Sequence, residues 1–170
     1  HLPVDEGGFA KYIMAKYVGK AENIVELRLF GVFGKYEDYA IRFISNAICK
    51  TLFELPITIK QNRKFDYLYI DAFMSVIDYF IKNDSTYRAY NVTPDDSIEL
   101  LALAEKVKKI SGKDLPILVN EKTMGVEYSG DNSRLKNEVK SLELTPIDIA
   151  IEKLYRWYKE NKQFINKELL

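Results

Sequence analysis

The sequence has 170 residues, enough for one domain with a hydrophobic core. Hydrophobic residues make up 47% and charged residues 29%, which is typical of globular proteins rather than disordered or membrane-embedded chains. Basic and acidic residues balance at 25 each, so no overall field attracts nucleic acid or an anionic membrane. The composition therefore predicts a globular protein without nucleic-acid or membrane partners.

The chain has one cysteine, Cys49, and one histidine, His1. This excludes an intrachain disulfide and predicts no metal site of the His or multi-Cys kind. No apolar run approaches the roughly 20 residues that cross a bilayer, and no signal peptide is visible, so we expect a cytoplasmic protein. The first residue is not methionine, and residues 2–6 resemble a loop entered in mid-protein. We therefore expect a processed or truncated polypeptide.

Helix-like and strand-like patterns alternate along the chain. Helices are predicted from five apolar stripes at helical spacing: Ala10, Met14, Tyr17, Val18 and Ala21; Ala40, Phe43, Ile44, Ala47 and Ile48; Phe73, Val76, Ile77, Phe80 and Ile81; Leu100, Leu103, Ala104 and Val107; Ile147, Ala150, Ile151, Leu154 and Tyr158. Strands are predicted at 24–30, 56–60, 65–70, 87–92 and 115–119. This alternation predicts an α/β protein with a largely parallel sheet.

Capping residues suggest where several helices begin and end. Asp71 is a plausible N-cap for the third helix, and Asp96 with Glu99 resembles a capping box for the fourth. Gly112 suits the C-cap of that fourth helix. Residues 121–133 are polar and aperiodic, which predicts an irregular segment.

Tyr12 and Lys16 are the first candidates for chemistry. Four residues apart on a helix, they share a face, and a nearby ammonium group stabilises a phenolate and lowers the pKa of the tyrosine. Such a tyrosine can transfer protons. Tyr155 and Lys159 have the same spacing in the last helix, where a solvated amphipathic face explains them, so spacing alone is not specific.

The residues around Tyr12 and Lys16 place that spacing in a recognisable order. The chain resembles the extended short-chain dehydrogenase/reductase family, which includes NAD-dependent epimerases and dehydratases and GDP-fucose-synthase-like members. The similar segments are Tyr12–Lys16 (Y-x-x-x-K), Leu27–Gly34 (family L-R-x-x-N-V-Y-G), Phe65–Asp71 (family R-D-Y-x-Y-V-D-D), Tyr90–Val92 (Y-N-V), Asp131–Leu135 (family D-x-S-K-x), and Leu144–Pro146 before a helix ending Tyr155–Tyr158.

The resemblance covers nearly the whole chain but only the C-terminal part of the family. It implies the C-terminal portion of a Rossmann-type parallel sheet, with the small α/β substrate-binding part. Residues 1–34 and 65–92 would complete the dinucleotide-binding half, and residues 35–64 and 93–170 would mainly bind substrate. It also implies a missing N-terminal half and a homodimeric parent.

The resemblance assigns roles to individual positions. Tyr12 would be the catalytic acid/base, and Lys16 would hold the nicotinamide ribose and tune Tyr12. The nicotinamide end of NAD or NADP would be lined by Leu29, Phe30, Gly31 and Val32. Arg42 would contact cofactor phosphate and Lys50 substrate phosphate, although a solvated helix surface explains both equally well.

Two positions depart from the family pattern. Gly31 replaces an asparagine that contacts substrate, and Phe65 replaces an arginine that pairs with the substrate diphosphate. A phenyl ring cannot make charge-assisted hydrogen bonds. Arg63 could substitute, because side chains two apart on a strand share a face.

The expected function is that of an NAD(P)-dependent nucleotide-sugar epimerase, dehydratase or reductase, of which this chain is the C-terminal part. No strand–G-x-x-G-x-x-G–helix cradle for a dinucleotide is present, so the chain alone is expected to be inactive and to bind cofactor poorly. A degenerate member of the same fold that only binds or regulates is the alternative. A non-enzymatic α/β interaction module is the third hypothesis.

Overall fold

The computed structural model describes residues 2–170, so His1 lies outside the described residues. Its helices are α1 (Glu6–Val18), α2 (Phe43–Leu52), α3 (Ile70–Lys82), α4 (Leu100–Ser111), α5 (Ser133–Glu138) and α6 (Ile147–Glu160). Its strands are β1 (Glu26–Leu29), β2 (Val32–Phe33), β3 (Ile57–Gln61), β4 (Lys64–Phe65), β5 (Leu68–Tyr69), β6 (Ala89–Val92), β7 (Ile98–Glu99) and β8 (Ile117–Glu121). Two short 3₁₀ turns follow at Lys162–Phe164 and Lys167–Leu169.

Between residues 2 and 170 the strands form pairs. Parallel pairing joins β1 to β6, β2 to β5 and β3 to β8, whereas β4 and β7 run antiparallel. Parallel neighbours need a crossover, and the intervening helices supply it. The predicted α/β class with mainly parallel strands is confirmed. The predicted strand 65–70 is divided, because Asp66 and Tyr67 separate β4 from β5.

The core consists of two clusters of buried side chains. The larger lies among α2, β3, α4 and α6, and the smaller lies among β5, α3, β6 and α5. The apolar stripes predicted for α4 and α6 are buried, apart from a half-buried Ile147, because each helix turns one face to the larger cluster. In α3 the stripe ends early, since Ile81 is 76% exposed.

Two predicted N-caps are wrong, and one C-cap is confirmed. The N-cap of α3 is Tyr69, with Asp71 inside the first turn, and the N-cap of α4 is Glu99, which caps no backbone N–H through its side chain. Instead the side-chain Oδ1 of Asn62, which is distant in sequence, accepts a 3.1 Å hydrogen bond from the Leu101 backbone N–H. Gly112 ends α4 in the left-handed conformation, with φ of 68°, as predicted.

Helix α1 differs most from expectation. Asp5 caps it by accepting a 2.7 Å hydrogen bond from Gly8 N, but only Val18 of the predicted stripe is buried. Met14 and Tyr17 are 59% and 64% exposed, so most of the stripe that predicted this helix is not covered by the described residues. None of the helices described here has both the length and the apolar character to cross a membrane.

Candidate functional site

A cavity of about 660 Å³ opens where β1 and β2 meet α2 and β3. Of the site residues predicted from sequence, it gathers Leu29, Phe30, Gly31, Val32, Arg42 and Arg63. The cavity wall does not include Tyr12, Lys16 or Lys50. Its volume lies within the range of small-molecule sites.

The charged groups of this cavity are mostly cationic. Arg42, Lys60 and Arg63 line it, against one carboxyl group, that of Glu37. Arg42 and Lys60 make no salt bridge within residues 2–170, although the charge of Arg42 acts on nearby Glu37 and tends to lower its pKa. Such a wall attracts an anionic ligand.

Arg63 is held in place by its neighbours. Its Nη2 donates a 3.0 Å hydrogen bond to Gln61 Oε1, and its guanidinium lies 5.9 Å from the centroid of the Phe65 ring. Gly125 approaches from the opposite segment so closely that a Cβ there would lie 2.8 Å from Arg63 Nε. Arg63 and Phe65 thus share the cavity wall, although Arg63 precedes β4.

Lys50 lies beside the cavity and does not line its wall. Its Nζ donates a 2.6 Å hydrogen bond to Thr58 Oγ1, and Thr58 lines the cavity. Burial lowers the pKa of Lys50, because desolvation disfavours the charged ammonium. In this arrangement Lys50 positions the Thr58 side chain.

Glu37 and Tyr67 are cavity residues that sequence reasoning missed. Ser45 Oγ donates a hydrogen bond to Glu37 Oε1, and burial raises the pKa of Glu37. Burial, with the neighbouring Glu37 charge, raises the pKa of Tyr67 to about 12. Burial disfavours the charged form of both groups, and both can hydrogen-bond a ligand.

Tyr12 and Lys16 lie together, but on α1. Lys16 Nζ is 5.2 Å from the centroid of the Tyr12 ring, so the predicted shared face exists. Tyr12 is half-buried and Lys16 is exposed. Among residues 2–170, neither member of this pair lines the cavity wall.

The surroundings of Gly31 leave no room for a side chain. Its carbonyl accepts a 2.7 Å hydrogen bond from Leu68 N, and a Cβ at this position would lie 2.5 Å from the Asp66 carbonyl oxygen. The family asparagine therefore cannot be accommodated without a backbone shift.

Gly31→Ala is expected to lower the free energy of unfolding by about 1–3 kcal/mol, the usual cost of forcing extra atoms into a packed site. Urea unfolding measures it. Gly19→Ala is the matched control, since a Cβ there meets Ala15 O at an ordinary 3.5 Å. Equal midpoints for the two variants would show that the Gly31 contact relaxes freely.

Among the described residues, no group of three or more His, Cys, Asp or Glu side chains is arranged to hold a metal ion.

Comparison by sequence finds no matching protein-family model and no matching curated protein. Comparison of structures finds 232 matching chains. A dTDP-glucose 4,6-dehydratase from Bacillus anthracis, solved with NAD, has a TM-score of 0.78 at 18% identity, over 96% of this chain and 53% of that chain. The UDP-glucose 4-epimerase from Thermotoga maritima, solved with UDP-glucose, has 0.77 at 15% identity, over 94% and 55%.

A GDP-L-fucose synthetase from Naegleria fowleri, bound to NADP, has a TM-score of 0.77 at 12% identity, over 97% of this chain and 59% of that chain. At these identities the likeness shows the fold. The chain spans between half and three fifths of the length of these structures.

Proposed function

We propose that the chain forms the C-terminal, substrate-binding part of an NAD- or NADP-dependent enzyme of the extended short-chain dehydrogenase/reductase type, whose fold it shares. The substrate is a nucleotide-diphosphate sugar, which the complete protein epimerises, dehydrates or reduces. The remainder of the dinucleotide site is supplied by sequence outside these 170 residues.

The cationic cavity carries this proposal. A diphosphate needs positive partners when it leaves water, because an unpaired charge in a partly desolvated site costs several kcal/mol. Arg42, Lys60 and Arg63 meet that need in one cavity, which also has hydrogen-bonding groups for a sugar in Glu37 and Tyr67. Arg63 takes the place of the family arginine that Phe65 replaces.

The residues present fit one end of the cofactor. Leu29, Phe30, Gly31 and Val32 offer the lining expected at the nicotinamide end, whereas the Tyr12–Lys16 pair, a phenol beside an ammonium group, lies on α1 and does not line the cavity. NAD or NADP, when bound, supplies hydride transfer. In the complete protein Tyr12 would exchange a proton with the sugar hydroxyl, and Lys16 would hold the ribose.

The exposed apolar residues of α1 indicate that another protein surface contacts this helix. Phe9, Ile13, Met14 and Tyr17 are 46–64% exposed within the described chain. An exposed apolar patch of this kind usually marks a surface that contacts another protein segment. We assign it to contact with the dinucleotide-binding half or with a second copy of the complete protein.

A binding or regulatory member without chemistry is the second candidate. Two positions favour it, since the substrate-contacting asparagine is sterically excluded at Gly31 and Phe65 lies in an aromatic cluster with Tyr67 and Tyr128. Both candidates require nucleotide-sugar binding, and they differ only in turnover.

The test is to incubate the complete protein with NAD or NADP and a panel of UDP-, GDP- and dTDP-hexoses, and to separate the sugars by chromatography. Conversion of one member supports the enzyme. Saturable binding without conversion supports the degenerate member. Neither binding nor conversion of any member would overturn the proposal.

A further inference from the structure

A second cavity, of about 470 Å³, shares one lining residue, Glu37, with the first. Its wall is largely aromatic, with the rings of Tyr36, Tyr39, Trp157 and Phe164, and we call these four residues the aromatic box. Glu37 lines both cavities and so stands between them. The box is formed by the turn before α2, the end of α6 and the 3₁₀ turn that follows α6.

Tyr36 has an unusual backbone conformation. Its φ is 68°, in the left-handed region that a non-glycine residue rarely adopts, and its side chain is 86% exposed. Burial therefore does not compensate the backbone strain. The ring instead meets Trp157 edge to face, with centroids 5.1 Å apart and planes at 71°. Strain of this kind concentrates at functional positions.

The wall of this second cavity has one acidic side chain and no basic one. Glu37 is its only ionisable acid or base other than tyrosine, and no lysine or arginine lines the cavity. The Tyr158 hydroxyl, in the same wall and 2% exposed as a residue, finds no hydrogen-bond partner among residues 2–170. Ring faces carry negative potential, so several rings beside a carboxyl group favour a cation over an anion.

We propose that the aromatic box, with Glu37 at its base, binds a small organic cation that carries an alkylated ammonium group. The rings surround the alkyl groups, and the bound cation favours the ionised form of Glu37, which balances the charge. The aromatic box shares Glu37 with the nucleotide-sugar cavity, but its four rings do not line that cavity, and the proposal does not rest on the function proposed for it.

Trp157 is the only tryptophan in the sequence, so intrinsic fluorescence reports on this site directly. The complete protein, mutated to carry no other tryptophan, is titrated with choline at constant ionic strength. Its uncharged carbon analogue, 3,3-dimethylbutan-1-ol, is titrated in parallel. We expect a saturable change in Trp157 emission with choline and binding of the neutral analogue at least about ten-fold weaker, since only choline gains the cation–π and carboxylate terms.

Tyr36→Ala is expected to weaken choline binding about five-fold or more, because it removes an exposed ring face, whereas Tyr36→Phe keeps the ring and the affinity. Phe164→Ala, at a residue 75% exposed, gives a second test if Tyr36→Ala does not fold. Tyr17→Ala, on α1 outside the box, is the control. Equal affinity for choline and its neutral analogue, no response to choline, or no loss in both alanine variants of the box would overturn the proposal.

Discussion

Tyr12→Phe in the complete protein is expected to lower the turnover number by about 10²–10⁴-fold, the usual contribution of a general acid/base. The variant loses only the hydroxyl that would exchange a proton with the sugar. The ring and the neighbouring Lys16, whose Nζ lies 5.2 Å from its centroid, remain. Cofactor affinity should therefore be nearly unchanged. Steady-state kinetics with the substrate found in the panel measure the effect.

Tyr17→Phe is the matched control for this prediction. It lies on the same helix, 64% exposed, and removes the same hydroxyl without touching the Tyr12–Lys16 pair. An unchanged turnover number in Tyr12→Phe would show that Tyr12 is not the acid/base. A similar loss in both variants would attribute the effect to α1 itself.

Arg63→Ala should raise the Michaelis constant for the nucleotide sugar by about ten-fold or more. One hydrogen bond to a charged group contributes about 1.5–3 kcal/mol, which corresponds to that factor. Because Gln61, Phe65 and Gly125 hold the guanidinium in the cavity wall, the ligand need not order it. The turnover number should change less than the Michaelis constant, since the contact exists before and during the reaction.

Lys64→Ala controls for the loss of one positive charge. Lys64 is the next residue, is exposed, and does not line the cavity. Lys50→Ala adds a second comparison, because it removes the donor that positions Thr58. If Arg63→Ala and Lys50→Ala both leave substrate affinity unchanged, the diphosphate binds elsewhere or is not part of the substrate.

The helices that pack on the larger core cluster could be predicted from sequence. In α4 and α6 the apolar residues recur on one face, and burial of that face decides the structure. Helix α1 shows the limit of this reasoning. Its pattern is helical, but apart from Val18 its large apolar residues are exposed within residues 2–170, and periodicity does not reveal which surface covers a face.

Helix ends and strand breaks depended on distant residues. Asn62 caps α4 from the loop before β4, where no local pattern could point to it. The break between β4 and β5 follows from Asp66, which is 2% exposed and accepts a 2.7 Å hydrogen bond from Gly130 N. A buried carboxyl group with a partner 64 residues away cannot be recognised from its neighbours in sequence.

The candidate site was only partly visible in the sequence. The family resemblance indicated Leu29–Val32 and Arg42, and the departure at Phe65 together with strand spacing indicated Arg63; the cavity gathers all of them. Lys60 was missed because it belongs to no motif, although its alternation with buried Ile57 and Ile59 in β3 marks it as outward-facing. Glu37 was missed because its raised pKa depends on burial that only the fold creates.

Equilibrium titration of the complete protein with a nucleotide-diphosphate sugar tests the role of the cationic cavity most directly. Isothermal calorimetry with the UDP-, GDP- and dTDP-hexoses, repeated with the unphosphorylated sugars, separates the diphosphate contribution. We predict that one nucleotide sugar binds saturably, that the free sugar does not, and that affinity falls with rising salt and in the Arg42→Ala/Arg63→Ala double variant. Binding that is equally strong in the folded double variant, or no binding of any nucleotide sugar, would contradict the assignment of this cavity.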